Sequence, residues 1–199
     1  MDFNLTEQQK MMQKLFREIA QNEVKENAAD VDEKERFPKE NVEVMRQSKM
    51  LGIPYPREYG GAGADYLSYI LAVEELSKTC ATTGVVLSAH TSLGTWPIAQ
   101  YGTPEQKEKY LRPLASGEKL GAFGLTEPNA GTDAAGQQTT AVKDGDDYII
   151  NGTKIFITNA GEADVYIIFA MTDKSKGTRG ISAFILEKDT PGFTIGLHE

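Results

Sequence analysis

Lys119-Leu-Gly-Ala-Phe-Gly-Leu-Thr-Glu-Pro-Asn-Ala-Gly-Thr-Asp-Ala-Ala-Gly136 divides this chain into two kinds of sequence. The apolar run Leu120 to Leu125 predicts a short strand that enters Thr126-Glu127-Pro128 and then a loop of small and polar residues. Gly131 and Gly136 in that loop would let a flat or phosphorylated ligand approach the backbone closely. Thr126 and Thr132 add hydroxyls. A surface turn would have the same composition. Nucleotide fingerprints are missing: no Gly-x-x-x-x-Gly-Lys run occurs, and no Gly-x-Gly-x-x-Gly joins a strand to a helix.

Upstream of this stretch the period is helical. Thr6-Glu-Gln-Gln9 is a capping box. It opens a helix whose Met11, Met12, Leu15, Phe16, Ile19, Ala20 and Val24 recur at three- and four-residue spacing, to about Ala29. Such methionine stripes are core more often than cofactor contacts. The charged run Asp30 to Arg36 predicts a solvated connection, and Pro38 suits the first turn of a helix ending near Gly52. Gly52 to Gly63 is rich in Pro and Gly and reads as a long loop. Asp65 caps an apolar helix through Ile70, Val73 and Leu76. Thr83 to Gln100 reads as a buried helix interrupted at Gly94 and Pro97, in which His90 suits a hydrogen-bonded structural role, while Trp96 and Cys80 read as core. Thr103-Pro-Glu-Gln106 starts the last helix, and Gly117 marks the change.

Downstream the period becomes that of strands. Gln137 to Lys143, Tyr148 to Ile150, Lys154 to Thr158, Val165 to Met171 and Ile181 to Glu187 are β-rich, and Pro191-Gly-Phe193 begins a final strand. Asp144-Gly145 and Asn151-Gly152 are hairpin signals. The expectation is an α+β chain, with an all-helical domain over 1–117 and an incomplete antiparallel β-barrel domain over 118–199.

The totals narrow the class. The 199 residues are 40% hydrophobic and 25% charged, as in a globular protein. No apolar run reaches the ~20 residues of a membrane helix, and the start lacks the basic head and apolar centre of a secretion signal. The single Cys80 cannot form an internal disulfide and suits a reducing compartment, so the expected location is cytoplasmic. A net charge of −8 argues against nucleic acid as a partner. No metal-ligand spacing is present.

Two phrases carry a resemblance: Phe123-Gly-Leu-Thr-Glu-Pro-Asn-Ala-Gly-Thr-Asp133 and Asn151-Gly-Thr-Lys-Ile-Phe-Ile-Thr-Asn159. Their wording, order and spacing closely resemble the flavin site of the acyl-CoA dehydrogenases, most of all the short-chain, butyryl-CoA type of anaerobic bacteria. The resemblance runs from Met1 to Glu199. It implies FAD as cofactor, held by Phe123, Gly124, Leu125, Thr126, Gly131, Thr132, Phe156, Ile157 and Thr158. In that picture Leu125-Thr126 meets the polar edge of the isoalloxazine, Phe156 stacks on its face, and Thr158 bonds its rim. Taken alone, Phe156 would read as a core aromatic in a strand. Thr132 matches the position that contacts the CoA arm, and the helix carrying Ser88, His90, Thr91, Leu93 and Trp96 would line the acyl pocket, with Ser88 and Leu93 as substrate contacts.

The implied reaction is α,β-dehydrogenation of short-chain acyl-CoA thioesters, or its reverse. An electron-transferring flavoprotein would be the redox partner, within a homo-oligomer. The general-base glutamate of the family lies on a C-terminal helical bundle that these residues do not include, and Glu127 matches a structural position. The expectation is therefore the first half of such an enzyme, inactive by itself. A non-catalytic flavin-, CoA- or partner-binding module and an acyl-CoA oxidase-like flavoenzyme are the alternatives.

Overall fold

A computed structural model describes residues 4–198. The chain forms two compact units, Met1–Lys119 and Leu120–Glu199.

The first unit is helical. Helix α1 (Glu7–Ile19) opens on Thr6, whose hydroxyl accepts from Gln9 N at 3.2 Å while Gln9 Oε1 accepts from Thr6 N at 2.9 Å. The helix does not end near Ala29. It passes through a π-helical segment, Ala20–Val24, into α2 (Lys25–Glu33). Asp30 pairs with Lys34 and Arg36, so part of the expected charged connection is a helix end held by ion pairs. Helices α3 (Lys39–Gln47) and α4 (Tyr66–Ser77) follow. Arg17 on α1 grips Glu75 of α4 with two bonds of 3.0 and 2.9 Å, and that carboxylate is buried.

The Pro/Gly-rich stretch between α3 and α4 is folded back on itself. Gly52 O accepts from Tyr55 N and Ala62 N, Tyr55 O accepts from Gly63 N, and the buried Tyr55 hydroxyl donates to Thr91 O. A Cβ on Gly52 would lie 1.9 Å from Ala115 O, so the glycine is demanded by a backbone crossing. Helix α5 (Ala81–Ser88) continues through a π-helical segment, Ala89–Thr95, into α6 (Trp96–Tyr101). The expected interruption at Gly94 is thus a widened turn within a continuous rod. Helix α7 (Pro104–Gln106) carries the predicted capping box and leads through the π-helical Lys107–Leu111 to α8 (Arg112–Ser116). Val24, Met45, Met50, Leu76, Leu87 and Leu114 form the fully enclosed centre of this unit.

The second unit is a five-stranded mixed sheet: β1 (Gly121–Gly124), β2 (Thr140–Asp144), β3 (Asp147–Asn151), β4 (Val165–Met171) and β5 (Ile181–Glu187). The expected antiparallel barrel is not formed. Strand β4 pairs with β1 in parallel, from Gly121↔Val165 to Gly124↔Ile168, and with β5 antiparallel. Strand β2 touches β4 in parallel at Thr140↔Met171 alone and makes a hairpin with β3. The sheet is not closed among the described residues, and the parallel β1–β4 pair is joined by a long crossover rather than a tight turn.

Gly145 has φ of 60°, as the Asp144-Gly145 hairpin requires. Asn151-Gly152 makes no hairpin. A Cβ at Gly152 would meet Thr139 Oγ1 at 2.2 Å, so this glycine serves packing rather than a turn. Lys154 to Thr158 is not a strand, and none begins at Pro191 among the described residues. Phe193 instead lays its ring 4.7 Å from that of Tyr166.

Candidate functional site

The site grows from the end of β1. Gly124 passes so close to β4 that a Cβ would stand 2.5 Å from Ile168 Cδ1. Beyond it, Glu127 and Ala130 exchange two backbone bonds of 3.1 Å and so close a turn. The buried Glu127 carboxylate then holds the approach to β2: Oε1 accepts from Thr139 N at 3.0 Å and Oε2 accepts from Gln138 N. Burial pushes this carboxyl up. The Lys154 ammonium and the two backbone N–H groups outweigh that and hold it down at about 2. At neutral pH Glu127 is an anion.

The segment after β3 lies against this turn. Ile155 N donates to Thr126 O at 2.9 Å, and Lys154 Nζ donates to Leu125 O at 3.0 Å. These bonds go to the β1 extension instead of a sheet ladder, which is why the predicted strand at 154–158 fails. Phe156 next adopts φ of 55° and Asn159 φ of 69°, both left-handed. For a bulky residue such a conformation is a genuine outlier, and such strain gathers at ligand sites. Phe156 is 68% exposed. Asn159 is buried and donates to Gly121 O at 3.1 Å, which ties the turn back to the start of β1.

The sheet unit therefore brings Leu125, Thr126, Phe156, Ile157 and Thr158 together through these bonds. Their side chains differ in use. Ile157 packs on the core of Ala122, Ala163, Tyr166 and Ile168, and Phe123 sets its ring against Phe169 at 5.1 Å. Those two can offer a ligand only their backbone or a flank. Gly131 and Thr132 lie on the exposed loop, and a Cβ on Gly131 would meet nothing within 4 Å. No contact within the chain requires glycine there. Among the described residues no hydrogen bond uses the hydroxyls of Thr126, Thr132 or Thr158. An exposed aromatic face beside uncommitted hydroxyls suits a flat ligand with a polar rim.

Ser88 and Leu93 belong to the helical unit. Ser88 O accepts from Tyr69 Oη and Ser92 Oγ, and Leu93 is 41% exposed. His90 and Thr91 are wholly buried. Burial pushes the His90 imidazole down to about 4 against hydrogen bonds to the backbone of Leu114 and Leu51, so it is neutral and structural.

Sequence reasoning did not single out Lys154, Gln137 or Asn159. The available signals were a lone Lys inside an otherwise apolar β-rich run and an Asn beyond it suited to left-handed backbone.

Comparison places this geometry in a known group. The acyl-CoA dehydrogenase N-terminal domain matches residues 6–118 and the acyl-CoA dehydrogenase middle domain matches 122–199. The chain belongs to the acyl-CoA dehydrogenase family. It is 66% identical over 196 residues to the short-chain specific acyl-CoA dehydrogenase of Clostridium acetobutylicum, covering 98% of this chain and 52% of that protein. Among solved structures, butyryl-CoA dehydrogenase from Megasphaera elsdenii superposes with a TM-score of 0.93 at 54% identity, covering 98% of this chain and 52% of that one. A chain solved in work on the electron transferring flavoprotein of Acidaminococcus fermentans and flavin-based electron bifurcation gives 0.96 at 56%, covering 100% and 52%. An acyl-CoA dehydrogenase from Bacillus anthracis complexed with FAD gives 0.88 at 36%, covering 98% and 33%. The chain spans about half the length of the curated relatives it matches.

Proposed function

We propose that this chain carries the helical and sheet units of an FAD-dependent short-chain acyl-CoA dehydrogenase. The enzyme would pass electrons to an electron-transferring flavoprotein and work as a homo-oligomer. One observation carries the reading: the Ile155 N–H fastens to the Thr126 carbonyl, so the strained, exposed Phe156 stands beside the polar end of β1. An isoalloxazine fits such a place, since it has an apolar face and a rim of acceptors. Phe156 would cover the face. Thr126 and Thr158 would meet the rim, where donors favour negative charge, with the backbone of Phe123, Gly124, Leu125 and Ile157 beneath. Thr132 with Gly131 would accept the CoA arm, and Ser88 and Leu93 the acyl chain.

When bound, FAD supplies the hydride acceptor for the β-carbon of the thioester. The chain's own contribution is to bind and orient. Glu127 does not serve as the base for the α-proton: its carboxylate is buried, held down at about 2, and committed to Lys154 and two backbone N–H groups.

The test is the visible spectrum of the purified chain after incubation with FAD and desalting. The expected result is retained flavin in the wild type and at least tenfold weaker binding in Phe156→Ala, with unchanged far-UV circular dichroism. A colourless wild-type chain would overturn the claim that these units hold the cofactor by themselves. Equal flavin content and spectrum in Phe156→Ala would remove the stacking role.

A further inference from the structure

Lys154 is a buried cation to which the ligand contacts above give no part. Its side chain is 8% exposed, and the ammonium reaches three acceptors on two other stretches of chain: Leu125 O at 3.0 Å and Glu127 Oε1 at 2.7 Å on one, and Gln137 Oε1 at 3.0 Å on the other. An ammonium has three donors and no acceptor, so its capacity is filled. Glu127 in turn holds the N–H groups of Gln138 and Thr139. The residue after Lys154 supplies the 2.9 Å bond to Thr126 O, and the residue after that is the left-handed Phe156. The carbonyls of Leu125 and Thr126 are thus taken by two consecutive residues of one segment. Without Lys154, the single Ile155 bond would remain there, and Glu127 would be left buried without its cation.

We propose that Lys154, paired with Glu127, is a positioning residue: it fixes the Leu125–Thr126 edge against the Phe156 turn before any ligand arrives, so the site is formed in the ligand-free chain. The inference rests on the flavin reading for its consequence, but its geometry stands without it. A site already ordered loses less conformational freedom when it is filled, and the gain appears as affinity. The pair spans three stretches that no sheet ladder joins at this point, which separates it from a charge pair within one element.

The experiment compares wild type, Lys154→Met, and Val165→Ala as a control that weakens the same unit away from the pair. Amide hydrogen exchange is followed at Ile155 and Thr139 in the ligand-free chain, and FAD affinity is titrated alongside. Lys154→Met should lose protection at both amides by at least tenfold and bind FAD at least tenfold more weakly. Val165→Ala, at a similar fall in thermal midpoint, should change neither.

Wild-type protection at both amides in folded Lys154→Met would overturn the proposal. Should Lys154→Met not fold, the double variant Lys154→Met with Glu127→Gln removes the unpaired buried charge. Loss of protection at Ile155 there upholds the positioning role, and wild-type protection refutes it. If the wild type itself holds no FAD, the flavin reading of this chain falls while the exchange data still decide the role of Lys154.

Discussion

Phe156 holds a backbone conformation that glycine would hold at less cost. Left-handed geometry costs a residue with a Cβ about 1–2 kcal/mol, partly offset by the extra entropy glycine loses on folding. Phe156→Gly should therefore stabilise the chain by up to about 1 kcal/mol while weakening flavin binding at least tenfold. Urea unfolding and FAD titration of one preparation check both halves. A variant that is both less stable and wild-type in binding would contradict the reading of this turn. In the sequence, Phe156 two residues before Thr158 gained its proposed ligand role only from the family resemblance, and taken alone it read as a core aromatic in a strand. The sequence did not show the positive φ, because apolar alternation over 154–158 reads as a strand whether or not carbonyls of another segment capture its N–H groups. Asn159 was the local hint, since Asn tolerates left-handed backbone.

Among the elements, the capping boxes at Thr6 and Thr103 were readable because the interaction is confined to four residues. Strand partners were not. A period of two shows which face is buried, but it does not say whether a neighbour runs parallel. Val165–Met171, apolar along nearly its whole length and largely buried, showed that it is covered on both faces, but not that it pairs in parallel with β1 and antiparallel with β5. The Gly52–Gly63 stretch was readable as a long loop, but its internal backbone bonds were not, because Pro and Gly density marks irregular backbone without saying what holds it. Gly52→Ala would drive a methyl group to within 1.9 Å of Ala115 O. It should cost about 2 kcal/mol or more through strain and displaced packing, lowering the thermal midpoint by several degrees. Gly131→Ala, whose Cβ meets nothing within 4 Å, should leave the midpoint within a degree or two. Equal midpoints for Gly52→Ala and wild type would show that the crossing yields easily.

At the scale of the whole chain, the two units should respond to acid in different windows. His90 is held below its ordinary 6.5 at about 4, so its neutral form favours the folded helical unit. That contribution is complete above pH 6.5 and lost as pH falls towards 4, to the extent of about 3 kcal/mol. Glu127 is lowered from 4.5 to about 2, and its contribution to the sheet unit is lost only between those values. Trp96, the one tryptophan, lies in the helical unit. Urea unfolding followed by its fluorescence should therefore weaken between pH 6.5 and 4, and His90→Asn should flatten that dependence. A wild-type stability unchanged across this window would show that His90 takes up its proton without opening the fold. The sequence marked His90 as a histidine of a buried helix and Glu127 as structural, but not the direction of either titration, which depends on the partners that tertiary packing brings to each group.

The parallel pairing of β1 with β4 has a consequence in time as well as in space. The strands Gly121–Gly124 and Val165–Met171 cannot meet until the chain between them closes as one long loop. Such closure loses entropy before the paired strands recover it, so contacts of this separation form slowly. Every residue assigned to the ring of the flavin beyond Gly124 lies within that loop. The β2–β3 hairpin can form early, whereas the edge at Thr126 and the turn at Phe156 reach their places when β1 and β4 pair. A chain emerging from the ribosome would therefore bring the Thr126 edge and the Phe156 turn together as a late event of folding, after Ile168 has been made.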